Sequence, residues 1–505
     1  MIKDKRMILI GLIFLSLVVE VESKPRNIHV TLAKDPRNTV VVTWQTDSSV
    51  KTGIVEYGLT SSYGSSVRST THTYQDDKNK IHTIHDARLT GLISGQRYHY
   101  RCGNSSDGWS GDRTFITTPE EGATFTFCVV GDTRAGSGNR QYERWGKIAE
   151  KISNHDIAFF IVNGDLVNKA NTQEEWDLWF EKGEPLFSKF PIMPIVGEHD
   201  KSSEGRGSIC YQSQFLLPDN GEWYSFDYGD AHFIGLNPFM EQDYATKERE
   251  WLDKDLNGTK KRWKFVYTHG LFFNICKNKV PNTYLRIHWG TLFDKHKVDI
   301  VFNSHAHAYG RSYPIECDEN DRKNFFIKES YDEGRCYIIT GGGGAETYPI
   351  LPPDELRENG IEKALEIHHF VLVTVSSNSL HMEAKDINGN TIDSLDMFKG
   401  SLIPDSAKVI YGVSNYPNPF IANREVTKIC YGLKEASDVV IKIYDLIGKL
   451  VWAYEAKAGE EGGRKGLNRV SWNGKNEEGN WVSAGGYICK IEAREEKVIR
   501  KILVK

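Results

Sequence analysis

Phe125-Thr126-Phe127-Cys128-Val129-Val130-Gly131-Asp132 is an apolar run that stops on a glycine and a carboxylate. The same pattern recurs further along the chain. Residues 157–162 lead into Asn163-Gly164-Asp165, and residues 191–196 lead into Gly197-Glu198-His199-Asp200. Residues 264–267 lead into Thr268-His269, and residues 298–302 lead into Asn303-Ser304-His305-Ala306-His307. Runs that are continuously apolar suit strands buried on both faces, with helices covering them. Helical periodicity at residues 141–152 and 284–293 supplies such covers. The reading is a central α/β domain of αββα type over residues 123–399.

The strand ends carry the chemistry. In an open α/β sheet the C-terminal strand ends face one crevice, where ligands bind. A glycine before the carboxylate lets the chain turn sharply and bring the side chain to the rim. Asp132, Asp165, Glu198, His269, His305 and His307 are the candidate metal ligands. Carboxylates mixed with imidazoles suit two ions of iron, zinc or manganese. Such a pair can share a carboxylate, clamp a phosphate and lower the pKa of a water enough to give hydroxide near neutral pH. A single Gly-Asp after a strand is usually only a turn, and a single strand-end histidine is usually structural. Five such ends in one stretch point to a metal site.

Around this stretch the periodicity changes. Residues 24–118 hold short alternating strands such as Val40-Val41-Val42-Thr43-Trp44, broken by turn residues, which reads as a β-sandwich. Residues 415–505 are again strand-rich, without helical period, and read as an immunoglobulin-like sandwich. Residues 117–122 and a stretch beginning at Lys399-Gly400-Ser401 are the expected linkers. At the start, Lys3, Lys5 and Arg6 precede an apolar run over residues 7–21, and Val21-Glu22-Ser23 offers small residues for cleavage after Ser23. That layout predicts a signal peptide at residues 1–23 and an exported protein.

A formal charge of -5 gives no reason to expect nucleic acid as a partner. The eight cysteines form no CxxC pair, which argues against a zinc ribbon or a thioredoxin-like motif. In an exported chain Cys317 with Cys336, and Cys430 with Cys489, are candidate disulfides. Gly341-Gly342-Gly343-Gly344 lacks the Lys-Ser/Thr of a nucleotide loop and reads as a flexible turn. No Gly-x-Ser-x-Gly elbow occurs, against a serine hydrolase. His288, His368 and His369 are expected to be structural.

The strand-end motifs, with Glu222-Trp223-Tyr224-Ser225-Phe226-Asp227-Tyr228-Gly229 and His305-Ala306-His307-Ala308-Tyr309-Gly310-Arg311-Ser312, resemble the purple acid phosphatase branch of the calcineurin-like metallophosphoesterases. The resemblance extends to the N-terminal sandwich, of fibronectin III type, through Val42-Thr43-Trp44 and Leu89-Thr90-Gly91-Leu92. It implies that Asp132 and His307 hold one metal, Asp165 bridges, and Glu198, His269 and His305 hold the other. It also implies a catalytic His199 that protonates the leaving oxygen, with Tyr309 and Arg311 in support. The implied activity is hydrolysis of small phosphate monoesters, acid phosphatase-like, with a metal-bound hydroxide as nucleophile. A phosphodiesterase or nucleotidase is the alternative on the same scaffold, with specificity in the loops at residues 201–214 and 274–283. A surface binding protein with a decayed site is the alternative of another class.

Some positions depart from the family pattern. Asn168 stands where purple members have tyrosine, so no purple colour is expected. Glu198 stands where asparagine is usual, and it is expected to alter metal choice or weaken turnover. Ser304 replaces a glycine, and Arg134 stands where many relatives have histidine. Finally, Asn415-Tyr416-Pro417-Asn418-Pro419-Phe420, Ile443-Tyr444-Asp445-Leu446-Ile447-Gly448 and Ala484-Gly485-Gly486-Tyr487 resemble the C-terminal modules of bacterial proteins exported by type IX secretion, similar to hook-capping immunoglobulin-like domains. That likeness implies sorting by secretion machinery or attachment at the cell surface.

Overall fold

The structure is a computed structural model. It describes residues 24–504 apart from 137–141, 202–206, 240–241, 322, 332, 400–408, 417, 419 and 425. The expected signal peptide and the body of the second linker lie outside the described residues.

At the centre two sheets pack face to face. One has six strands in the order Ile192–Ile195, Phe160–Asn163, Phe125–Val130, His369–Val375, Ser379–Asp386, Thr391–Phe398. Its first three strands are parallel, with Val129 opposite Ile161 and Ile161 opposite Met193. The other has seven strands, in which Ala231–Leu236, Trp263–Thr268, Ile300–Asn303 and Cys336–Thr340 run parallel. Phenylalanines from both sheets fill the space between them. The Phe127 ring meets Phe233 edge-on at 5.0 Å and lies 5.1 Å from Phe265. Removing such a ring leaves a cavity costing about 3–5 kcal/mol.

The helices Glu143–Ser153 and Gln173–Phe187 seat Trp145, Ile148, Trp176 and Trp179 in the core of the first sheet. The second sheet's outer face is covered by Leu252 and Leu256 of helix Gln242–Gly258 and by Phe293 of helix Thr291–His296. The layering is therefore helix, sheet, sheet, helix. The two sheets bear out the αββα expectation, and the five apolar strands divide between them, three in the six-stranded sheet and two in the seven-stranded one. Doubly buried strands look alike in sequence, so periodicity carries no information on which sheet each one joins.

The N-terminal strands form two sheets, ordered Arg26–Leu32, Val40–Asp47, Ile81–Leu89, Thr70–Gln75 in one and Ser65–Arg68, Ile54–Gly58, Arg97–Asn104, Gly108–Trp109 in the other. They lean on helix Gln173–Phe187, where Gln173 donates to Gln45 at 3.0 Å and Asn27 donates to Asp177 at 2.8 Å. The C-terminal strands form a sandwich of a three-stranded and a four-stranded sheet around Trp472, Ile441 and Ile491.

All eight cysteines are free and buried, which corrects the expected disulfides. Cys430 and Cys489 sit on opposite sheets of the C-terminal sandwich, each in its own ladder. The Cys317 sulfur lies 3.6 Å from the Tyr337 hydroxyl rather than bonded to Cys336. Burial pushes the Cys317 and Cys336 thiols up to about 12, so both stay protonated and inert.

Candidate metal centre

Each sheet contributes one kind of ligand. Asp132, Asp165 and Glu198 follow strands Phe125–Val130, Phe160–Asn163 and Ile192–Ile195 of the six-stranded sheet. His269, His305 and His307 follow strands Trp263–Thr268 and Ile300–Asn303 of the seven-stranded sheet. The sheets meet so that carboxylates face imidazoles.

The turns that aim these groups are strained. Asp132 and Asp165 both have φ 54°, and His305 has φ 69°. Left-handed backbone at residues other than glycine costs about 1–3 kcal/mol each and gathers at functional sites. Gly164, at φ 84°, precedes Asp165, and a Cβ there would lie 2.6 Å from His269 Nδ1. No other residue fits that corner. The backbone is tied across the loops: the Asp132 N–H donates to Gly164 at 3.0 Å, and the Arg134 N–H donates to Asp165 O at 3.0 Å.

The ligand atoms converge in two groups that share Asp165. Asp132, Asp165 and His269 place donor atoms mutually within 4.8 Å, and so do Asp165, Glu198 and His199. His307 Nε2 lies 3.2 Å from Asp132 Oδ1, and His269 Nε2 lies 3.6 Å from Asp165 Oδ1. His305 Nδ1 lies 3.5 Å from Glu198 Oε1 and 3.3 Å from His269 Nε2. All six sequence-derived candidates are therefore in one cluster.

The far sides of the His269 and His307 rings are anchored as ligating imidazoles require. His269 Nδ1–H donates to the Asn163 carbonyl at 3.1 Å, and His307 Nδ1–H donates to the Glu346 carbonyl at 2.7 Å. Each ring then turns Nε2 towards the carboxylates. Ser304, in place of the family's glycine, also donates to the Asn163 carbonyl, so its hydroxyl secures the same support. The His307 ring stacks on Tyr348 at 4.1 Å.

The electrostatics suit cations. Burial opposes charge on Asp132, but His307 and His269 hold its carboxyl below the ordinary value. Burial would keep His269 neutral, yet Asp165 and Asp132 push it up. His305 is pushed down to about 4 by burial and by His269, so it stays a neutral donor. Asp132 Oδ1 is fully buried without a hydrogen-bond partner. A buried carboxylate oxygen left so costs about 1–3 kcal/mol or more, unless a cation satisfies it. The residues therefore fit a pair of metal ions.

Several supports went unread in sequence. Asp200 is buried and accepts N–H groups from Gly197 at 2.8 Å, Leu166 at 3.0 Å and Val167 at 3.2 Å, binding the Asp165 loop to the Glu198 loop. Burial and the nearby Asp165 push its carboxyl up to about 7. The tetraglycine is not a flexible turn. It is buried beneath the centre, where a Cβ on Gly341 would lie 2.3 Å from Ala306 O and 2.7 Å from Asp132 Oδ2. Close packing excluded side chains there, whereas composition alone suggested mobility. Arg134 donates to Asp165 Oδ2 at 3.3 Å and to Asn168 Oδ1 at 3.2 Å, so the residue in the tyrosine position holds a guanidinium. Tyr309 and Arg311, on strand Tyr309–Ser312 just after the His305–His307 turn, both bind Asp393 at 2.7 Å and brace that turn. His369 and His368 donate to backbone carbonyls at 2.9 and 3.2 Å, and His288 donates to Ala245 O at 3.0 Å.

A helix–sheet–sheet–helix core with carboxylate and histidine strand ends defines a calcineurin-type metallophosphoesterase. The calcineurin-like phosphoesterase family matches residues 125–309, and the purple acid phosphatase N-terminal domain family matches residues 25–117. Purple acid phosphatase 13 of Arabidopsis thaliana is 28% identical over 344 residues, 56% of this chain and 60% of that protein. Purple acid phosphatase 22 of the same plant is 26% identical over 67% of this chain and 77% of its own length. A purple acid phosphatase from yellow lupin (Lupinus luteus) seeds superposes with a TM-score of 0.65 at 22% identity, covering 74% of each chain, and shares the fold. Over residues 25–117 and 125–309 the chain is similar to the purple acid phosphatases and to the calcineurin-like phosphoesterases.

Proposed function

We propose that the protein hydrolyses phosphate monoesters at a binuclear metal centre built from Asp132, Asp165, Glu198, His269, His305 and His307. The observation that carries this is the convergence of carboxylates and imidazoles around Asp165, which belongs to both clusters of donor atoms. When bound, the two ions supply Lewis-acid contact with phosphoryl oxygens and a water acidified towards hydroxide. Iron, zinc or manganese fits this donor set, and one relative, 24% identical, is named an Fe(3+)-Zn(2+) purple acid phosphatase.

The chain's own groups do the rest. Asp132 and His307 form one end of the cluster, Asp165 is the shared carboxylate, and Glu198, His269 and His305 form the other. His199 Nδ1–H donates to the Asn168 carbonyl at 3.0 Å, which fixes the ring and turns Nε2 towards the centre. Nε2 stands 4.0 Å from Asp165 Oδ2 and 3.9 Å from Glu198 Oε1, at the rim, with the side chain 33% exposed. A proton held there can pass to the leaving oxygen as the P–O bond breaks. Arg134 neutralises part of the shared carboxylate's charge and keeps a dianionic substrate tolerable.

The reading also includes export. It rests on the leader-like residues 1–23 and on the likeness of residues 415–505 to type IX sorting modules, with secretion machinery or a surface anchor as the partner. Fractionation of the producing cell tests it, and a cytosolic protein with an intact leader would overturn it. The catalytic test is metal content measured together with turnover of p-nitrophenyl mono- and diesters across pH. Near two metals per chain and faster monoester turnover are expected. Fewer than about one metal per chain would instead favour a decayed site.

A further inference from the structure

Phe239 stands at the rim of the metal centre and is none of its ligands. It follows strand Ala231–Leu236, and its ring centroid lies 5.9 Å from that of His269, tilted by 41°. The Lys201 ammonium sits 5.4 Å from the same ring and donates to the Phe239 carbonyl at 2.6 Å. His269 is fully buried, whereas Phe239 keeps part of its surface open.

The short segment that carries the ring is built to hold it there. The Asn237 N–H donates to Glu248 Oε1 at 2.8 Å, and the Asn237 side-chain oxygen accepts the Phe239 N–H at 3.0 Å. Glu248 is buried on helix Gln242–Gly258, and burial pushes its carboxyl well up, so it serves as a neutral anchor. A buried carboxyl is a costly way to fix a loop, which marks the loop's position as one that matters. Pro238, between the two, packs so tightly on Gly270 that a Cβ there would lie 2.9 Å from Pro238 Cβ.

Cover for His269 does not account for the ring. That imidazole is already fixed through Nδ1–H to the Asn163 carbonyl, and its neighbour Ser304 secures the same carbonyl. A phenylalanine left partly open beside it keeps apolar surface in water until a ligand covers it. The placement of His199 says which part of a substrate that is. His199 delivers the proton to the leaving oxygen, and Lys201, on the same loop, is fastened to Phe239. The leaving group therefore emerges on the side of the centre where the open ring stands.

We propose that Phe239 determines specificity for the leaving group, and that the favoured substrates are phosphate monoesters of aromatic alcohols. The ring of such an ester meets Phe239 in an offset-stacked or edge-on contact. The inference deepens the hydrolase reading and rests on it. The reaction keeps its balance: water adds to phosphorus, the P–O bond to the aryl group breaks, and the phenol oxygen leaves with that bond's electron pair and gains a proton.

The test uses the full chain, metal-loaded, and compares phenyl phosphate with methyl phosphate. Phe239→Leu keeps apolar bulk and removes the aromatic face, and Phe239→Tyr keeps the face. For Phe239→Leu we expect unchanged metal content and kcat/KM for phenyl phosphate lowered about fivefold, chiefly through KM, with methyl phosphate within about twofold of wild type. Phe239→Tyr should recover most of the loss. In the wild type itself, phenylphosphonate should inhibit more tightly than methylphosphonate, and equal inhibition overturns the proposal. So does an equal fall on both esters in Phe239→Leu. A loss of metal that parallels the loss of activity overturns it too, because the ring would then support His269 rather than the substrate. A wild type that holds no metal and cleaves neither ester sinks the hydrolase reading and this one with it. A metal-replete, active wild type whose preference for the phenyl ester survives Phe239→Leu sinks this one alone.

Discussion

Glu198 Oε1 lies 3.5 Å from His305 Nδ1, so the carboxylate that replaces the family's asparagine faces an imidazole on the opposite sheet. The substitution therefore changes the charge of the cluster while keeping the reach to it. Glu198→Asn should weaken metal binding at that end by roughly 10–100-fold, because a charged oxygen donor becomes neutral. Metal analysis after dialysis against a graded chelator series measures this. Unchanged metal content and unchanged turnover would show that Glu198 plays no special part.

His199 is held by its Nδ1–H bond to Asn168 and lends only Nε2 to the centre. His199→Asn should lower kcat by about 10²–10⁴-fold while metal content stays constant. The loss should be larger for an alkyl phosphate than for p-nitrophenyl phosphate, whose leaving oxygen hardly needs a proton. An equal loss on both substrates would argue against proton delivery.

The packing beneath the ligands gives another expectation. Gly341→Ala sets a methyl 2.3 Å from Ala306 O, so the His305–His307 turn must move away from Asp132. Overpacking of this kind costs about 1–3 kcal/mol. Thermal melts should show that loss, and metal affinity should fall with it. Gly389→Ala is the control for glycine replacement, since a Cβ there meets nothing within 4 Å and only its φ of 94° opposes the change. Its melting temperature should fall with metal affinity intact.

A pH dependence arises far from the metals. His381 is buried, and burial would lower its pKa, but Asp396 and Glu383 push it above the ordinary 6.5. Asp396 also pairs with Arg469 of the C-terminal sandwich, at 2.9 Å. The folded pKa exceeds the unfolded one, so this contribution is complete below 6.5 and fades as pH rises through the folded value. Glu383 is held down at about 2: burial opposes this, but His381 and Lys385 prevail. Its contribution is complete above about 4.5 and is lost as pH falls towards 2. Melting temperature should therefore decline above neutrality in the wild type. His381→Gln should flatten that slope and cost roughly 2 kcal/mol near pH 6, as loss of a charge-assisted hydrogen bond does. A slope identical in the two proteins would assign the pH response elsewhere.

The sequence made some of this legible for a physical reason. A strand end that must aim a ligand needs a sharp turn, so Gly131-Asp132 and Gly164-Asp165 mark themselves in one dimension. His305-Ala306-His307 likewise marks itself by placing two imidazoles just after an apolar run. The sheet that each strand joins left no mark, since burial on both faces gives the same apolar run in either layer. Asp200 reads as one more carboxylate until its three N–H partners are seen. Gly341 reads as slack because a missing side chain looks the same whether space is abundant or absent. The cysteine spacing suggested bonds, and the two sheets of the C-terminal sandwich keep Cys430 and Cys489 in separate ladders.

The split of ligand types between sheets governs when the site can exist at all. Before the layers dock, the carboxylates and the imidazoles belong to separate sheets, and the mixed donor set does not yet exist. The mixed site is complete only at closure, and a pair of ions held there would act as a rivet through the seam. A chain that crosses a membrane unfolded would travel metal-free and acquire its cofactors on the far side.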